Sequence, residues 1–167
     1  MKGGRIMSES LIFHHVNVAR DITVNAFEKI SKSYFLEVPE GFNNNMFWNF
    51  GHIAYIQEKL VFQLVGRELE IPNDFETFFA KGTKPEYWVG TPPAYEEVKE
   101  ALIDQPKRIE AVWKGKLDTP LLQPFTNSTG KTFYTVGETL MFSTYHEALH
   151  FNTILRLYRS LKQSQNI

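Results

Sequence analysis

A chain of 167 residues, 43% of them apolar, with a formal net charge of −1, is long enough to bury a core of its own. The near-neutral balance, with no block of like charge, excludes nucleic acid and anionic membrane surfaces as partners, and no apolar stretch reaches the roughly 18 residues that cross a bilayer. The absence of cysteine removes disulfides, thiolate metal sites and cysteine nucleophiles, and with an opening (MKGGRIMSES) that has no apolar run behind its basic residues it fits a cytoplasmic protein.

One domain is expected over residues 1–167, with residues 1–7 disordered. The periodicity predicts four helices. The first covers about residues 10–31, with Leu11, His15, Val18, Ile22 and Ala26 at helical spacing. The second covers about residues 44–65 and stops at Gly66. It is apolar on most faces, which predicts a central position in a bundle or at a subunit interface. Residues 67–93 form a long, proline-rich connection whose rings, Phe75, Phe78, Phe79, Tyr87 and Trp88, either line a pocket or pin the segment to the bundle. A third helix is expected after Thr91-Pro92, as N-cap and N1, and Pro106 is expected to kink or split it. Residues 115–134 read as a loop or short hairpin turning at residues 126–130. Thr135 and Glu138 form a capping box that starts the fourth helix, which runs to about Lys162. The fold class is therefore all-α: a four-helix bundle, with a long connection between helices two and three and a short hairpin or loop before helix four.

Five histidines carry the chemistry: His14, His15, His52, His146 and His150. His146 and His150 are four residues apart, about 40° in rotation and about 6 Å in rise, so both imidazoles face one point on a helix. With Glu147 between them they spell H-E-x-x-H, the pattern of a zinc protease helix. The protease reading fails on its third ligand, because FNTILRLYRSLKQSQNI after His150 contains no His, Glu or Asp, and an all-helical chain offers no edge strand for a peptide. His52, in the most apolar helix, is the upstream candidate; burial there is costly unless a metal or a hydrogen bond engages the ring. Gly51 beside it points to the close approach of a neighbouring helix or a ligand. Each histidine has an ordinary reading as a satisfied core or surface residue, so spacing alone leaves a three-histidine metal site and a metal-free bundle both open. His14 and His15 read as capping or surface residues, placed away from His52 if helices one and two are antiparallel neighbours.

Asn49-Phe50-Gly51-His52-Ile53, Gly137-Glu138-Thr139-Leu140 and His146-Glu147-Ala148-Leu149-His150 occur in this order, with Gly82, Pro85, Trp88 and Pro92-Pro93 in the long connection. In these elements the chain resembles the DinB/YfiT-like superfamily of four-helix-bundle metal proteins. The resemblance implies a triad of His52, His146 and His150 holding a divalent ion, zinc or nickel above all, with water completing the shell. It implies thiol transfer with a low-molecular-weight thiol cosubstrate, or hydrolysis, of a small molecule, and a homodimer. One departure stands out: Asn152-Thr153 occupy places where the family often has Gly-Gln.

Catalytic candidates beside such an ion are Glu147, as a base, a support for a ligand or a salt-bridge residue, and Asn49 and Tyr145, as groups that orient a ligand or water. The competing expectation is a non-catalytic dimeric bundle whose metal site is structural or empty.

Overall fold

The structure, a computed structural model, describes residues 4–164. It contains α1 (Gly4–Lys29), α2 (Met46–Val61), α3 (Phe75–Phe79), α4 (Tyr95–Trp113), a hairpin of β1 (Pro120–Thr126) and β2 (Thr132–Thr135), and α5 (Val136–Ser164). The class is helical as expected, with a short extra helix, α3, inside the long connection. Of the segment expected to be disordered, residues 1–3 lie outside the described residues, and α1 takes up the chain from Gly4. No helix among the described residues is long and apolar enough to cross a membrane.

Each start and stop has a local cause. The Asn45 side chain caps α2 by accepting the Trp48 N–H at 2.7 Å. The helix leaves through a 3₁₀ turn to Gly66, whose φ of 80° only glycine adopts without strain. At α5 the capping box forms as expected: Thr135 Oγ1 accepts the Glu138 N–H at 3.3 Å and Glu138 Oε2 accepts the Thr135 N–H at 3.1 Å. The start of α4 differs from expectation. Its N-cap is Ala94, with Glu97 accepting the Ala94 N–H at 2.6 Å. The residue before a proline is driven out of the helical region, so Pro92, lying before Pro93, cannot be the first helical residue.

Pro106 does not split the helix, because α4 runs through it unbroken. A proline there has no N–H for the carbonyl one turn back, that of Leu102. The freed carbonyl is taken instead by Arg20 Nη1 of α1 at 2.8 Å. A tertiary donor thus replaces the missing helical one.

The long helices form a ring in which α1 and α2 each pack mainly on α4 and α5. Helices one and two are therefore diagonal, not side-by-side neighbours. Helix α2 is central, with 14 of its 16 residues buried. The expected inner face of α1 is corrected: Leu11, His15, Val18 and Ile22 are exposed, and the buried stripe is Phe13, Val16, Arg20, Thr23, Phe27 and Ile30.

Two apolar clusters fill the ring. One is rich in rings, among them Phe27, Phe35, Phe47, Phe50 and Phe79. The other lies towards the hairpin, around Phe13, Val16, Leu60, Trp113 and Leu140. Between them on every long helix sits a buried polar residue: Arg20 on α1, Gln57 on α2, Gln105 on α4, Ser143 and Glu147 on α5. Arg20 is the hub. Its Nε and Nη2 donate to the two Glu147 oxygens at 3.0 and 3.1 Å, Nη1 to Leu102 O and Gln105 Oε1, and Nη2 to Gln57 Oε1 at 2.7 Å. All five guanidinium donors are thereby used and the charge is paired, which offsets the cost of burying it.

Candidate metal centre

His52, His146 and His150 converge where α2 faces α5, and one ring nitrogen from each lies within 4.8 Å of the other two. In a tetrahedral zinc shell such nitrogens stand about 3.4 Å apart, so ring shifts of less than about 1 Å complete the geometry. The alignment follows from antiparallel pairing, visible in the contacts of Asn49 with His150 and of Gln57 with Ser143.

Two of the rings are oriented by fixed acceptors. A carbonyl oxygen only accepts, so His52 Nδ1–H donates to Phe79 O at 2.6 Å and leaves Nε2 with its lone pair. Asn49 Nδ2 donates to Asn45 O at 2.8 Å, which turns Asn49 Oδ1 towards His150; His150 Nδ1–H therefore donates to it at 2.8 Å, again freeing Nε2. A ligand ring tied at one nitrogen by a carbonyl is the usual support of a bound metal ion. Gly51 makes the first support possible. The Phe79 ring lies 2.5 Å from where a Cβ at Gly51 would sit, so α3 closes on α2 only because that side chain is missing. The approach expected at Gly51 is thus that of α3.

All three imidazoles are neutral near pH 7. Burial, then the neighbouring His150, pushes His52 down to about 3. Burial, then His150 and His52, pushes His146 to about 3, and burial pushes His150 to about 4. Three neutral imidazoles are the protonation state that ligation of a divalent ion requires. The donor set, its spacing and its protonation all fit such an ion.

The cluster opens into a cavity of about 980 Å³, lined beyond the histidines by Trp48, Tyr55, Ile56, Lys59, Tyr87 and Phe142, among others. Trp48 stacks on His52 with centroids 4.3 Å apart, and its Nε1–H donates to Thr83 Oγ1 at 2.8 Å, anchored in turn on Phe78 O and Ala80 O. In the long connection Phe75, Phe78 and Phe79 pin the segment, while Tyr87 lines the cavity.

The other sequence candidates separate. Asn49 stands at the site, as the support of His150. Glu147 does not: both its oxygens accept from Arg20, and it lines a groove against α1 on the other side of α5. Of the roles weighed for it, the salt bridge is the one it fills. Tyr145 lies in the same groove, 61% exposed, and is absent from the cavity lining. His14 and His15 are exposed on α1. Asn152 is exposed, and Thr153 bonds back to Leu149 O. Sequence reasoning missed the Phe79 carbonyl, Trp48 and Thr83. Trp48, one turn before His52 on the same helix face, was readable from its spacing. The carbonyl has no sequence signal.

A family model described as "DinB superfamily" matches residues 15–154. No curated protein matches the chain.

Proposed function

The chain belongs to the DinB superfamily, and from that premise we propose that it is a metal-dependent enzyme acting on a small molecule, with His52, His146 and His150 as ligands. The observation that carries the reading is the convergence of three neutral imidazoles, two with their Nδ1–H groups committed elsewhere. A divalent ion on such ligands supplies Lewis acidity, generating the conjugate base of a water or a thiol near neutral pH.

The side chains divide the remaining work. Asn49 and the Phe79 carbonyl hold the His150 and His52 rings in the tautomer that presents Nε2. Trp48 covers one face of His52. The cavity admits a substrate of drug-like size to the cluster, whereas structural metal sites are closed. That opening favours an enzyme over a structural site. Among the lining residues Glu76 is the one carboxylate, and it accepts the Tyr55 hydroxyl at 3.0 Å. With Glu147 turned to Arg20, hydrolysis lacks an evident base beside the histidines, so we favour thiol transfer with a low-molecular-weight thiol brought in from outside. Zinc or nickel as the ion, a four-helix-bundle topology, a cytoplasmic setting and a homodimer complete the reading and rest on the family resemblance. The exposed apolar side chains of Leu11, Val18 and Ile22 on α1 and Met141, Tyr145 and Leu149 on α5 support the homodimer.

The test is metal content by mass spectrometry on tag-free protein, wild type beside His150→Ala. Near-stoichiometric metal in the first and its loss in the second are expected. Wild type that is metal-free and takes up neither zinc nor nickel overturns the reading.

A further inference from the structure

The cavity lining carries two chemically different groups along α2. His52 and Lys59 both line it and lie seven residues apart on α2, about 10 Å along the axis and within about 20° of one face. The wall between and beyond them carries Ile56, Leu60, Leu64, Phe125 and Phe142, with Thr126, Asn127 and Ser128 of the hairpin also on the lining. Lys59 is half-buried and makes no hydrogen bond or ion pair among the described residues. Lys81 and Lys84 stand on the lining of the segment opposite, Lys84 already paired with Glu86. The single lining carboxylate, Glu76, is engaged by Tyr55. A half-buried ammonium without a partner, facing a cavity wall rich in apolar side chains, is an anion site in want of an anion.

We propose that the substrate or cosubstrate carries an anionic group, a carboxylate or similar, that binds Lys59, joined by an apolar body to the reacting group at the histidines. This deepens the proposed function by giving the substrate class, and it rests on that reading for the identity of the reacting end alone. The anionic end follows from the cavity itself. Lys59 is the half-buried lining cation that has no partner, so it is the group that distinguishes a carboxylate from an alcohol. Lys81, exposed at the rim, contributes less because solvent screens it.

The experiment titrates octanoate and octan-1-ol into the full chain by calorimetry, as purified and again after chelation. Wild type is expected to prefer octanoate by about tenfold, the scale of one charge-assisted hydrogen bond, in both preparations. Lys59→Met is expected to abolish the preference while keeping octan-1-ol binding, and Lys59→Arg to retain it. Equal binding of the two probes, binding of neither, or a preference that survives in Lys59→Met overturns the proposal. A preference lost on chelation overturns it too, by assigning the carboxylate to the metal. Failure of the metal assay leaves the result in chelated protein unaffected, so the two readings fail separately.

Discussion

Gly51→Ala sets two effects of opposite sign against each other. Within an isolated helix the change is favourable by about 0.5–1 kcal/mol. Here the new methyl falls 2.5 Å from the Phe79 ring. That ring is fully buried among Phe47, Phe75 and Trp88, with centroid separations of 5.5, 5.3 and 6.1 Å. It has no space to turn into, so α3 must move away from α2. Overpacking of this kind costs about 1–3 kcal/mol, leaving a net loss of up to about 2.5 kcal/mol. For a chain of this size that lowers Tm by up to roughly 10 °C. The shift carries the Phe79 carbonyl off His52 Nδ1, and loss of such a support weakens metal affinity about 10–100-fold. Thermal melting of metal-free protein and competitive zinc titration read the two effects. A raised Tm with unchanged zinc affinity refutes the reasoning, because the helix effect would then act alone and the ring would be free to step aside.

Asn49→Ala removes the acceptor of His150 Nδ1–H and is expected to lower zinc affinity about 10–100-fold, read by the same titration. Glu147→Gln leaves the Arg20 charge buried and uncompensated, so chemical denaturation should show a loss of roughly 3–5 kcal/mol. The folded variant should still take up one equivalent of metal, the result opposite to that expected of a ligand. The pH dependence of metal-free stability follows from the three depressed histidines. Their unfolded values lie near 6.5 and their folded values at about 3 to 4. Between these limits the unfolded chain binds more protons, so stability is full above about pH 6.5 and is lost as pH falls, by up to roughly 1.4 kcal/mol per unit for each histidine. A Tm of chelated protein that stays flat from pH 7 to pH 5 contradicts the neutral, buried triad.

The residues that announced themselves in the sequence did so through periodicity or local capping. The His146–His150 spacing, the burial of α2 and the Thr135–Glu138 box are signals contained within one turn or one face. What stayed hidden depends on contacts between helices. Helix α1 carries two stripes at helical spacing, and the one through Leu11, His15, Val18 and Ile22 faces outward. The buried stripe contains Arg20, a residue that no local rule places in a core. Pro106 read as a kink or a split because the donor that replaces its N–H comes from α1. Glu147 read as a catalytic candidate because Arg20, 127 positions away, is invisible from the motif.

The polar layer around Arg20 has a consequence for how the metal centre comes into being. A purely greasy interface between α2 and α5 tolerates sliding by a turn, since one Leu or Phe replaces another at little loss. Sliding any one of these four helices would leave several directional partners of Arg20 stranded in a dry interior. The layer thus acts as an indexing pin for the helix ring. His52 is set opposite His146 and His150 by a lock that includes none of them, so the three-histidine cluster is assembled by folding alone. An ion bound there would meet ligands already in place, and its binding energy would not be spent on ordering them.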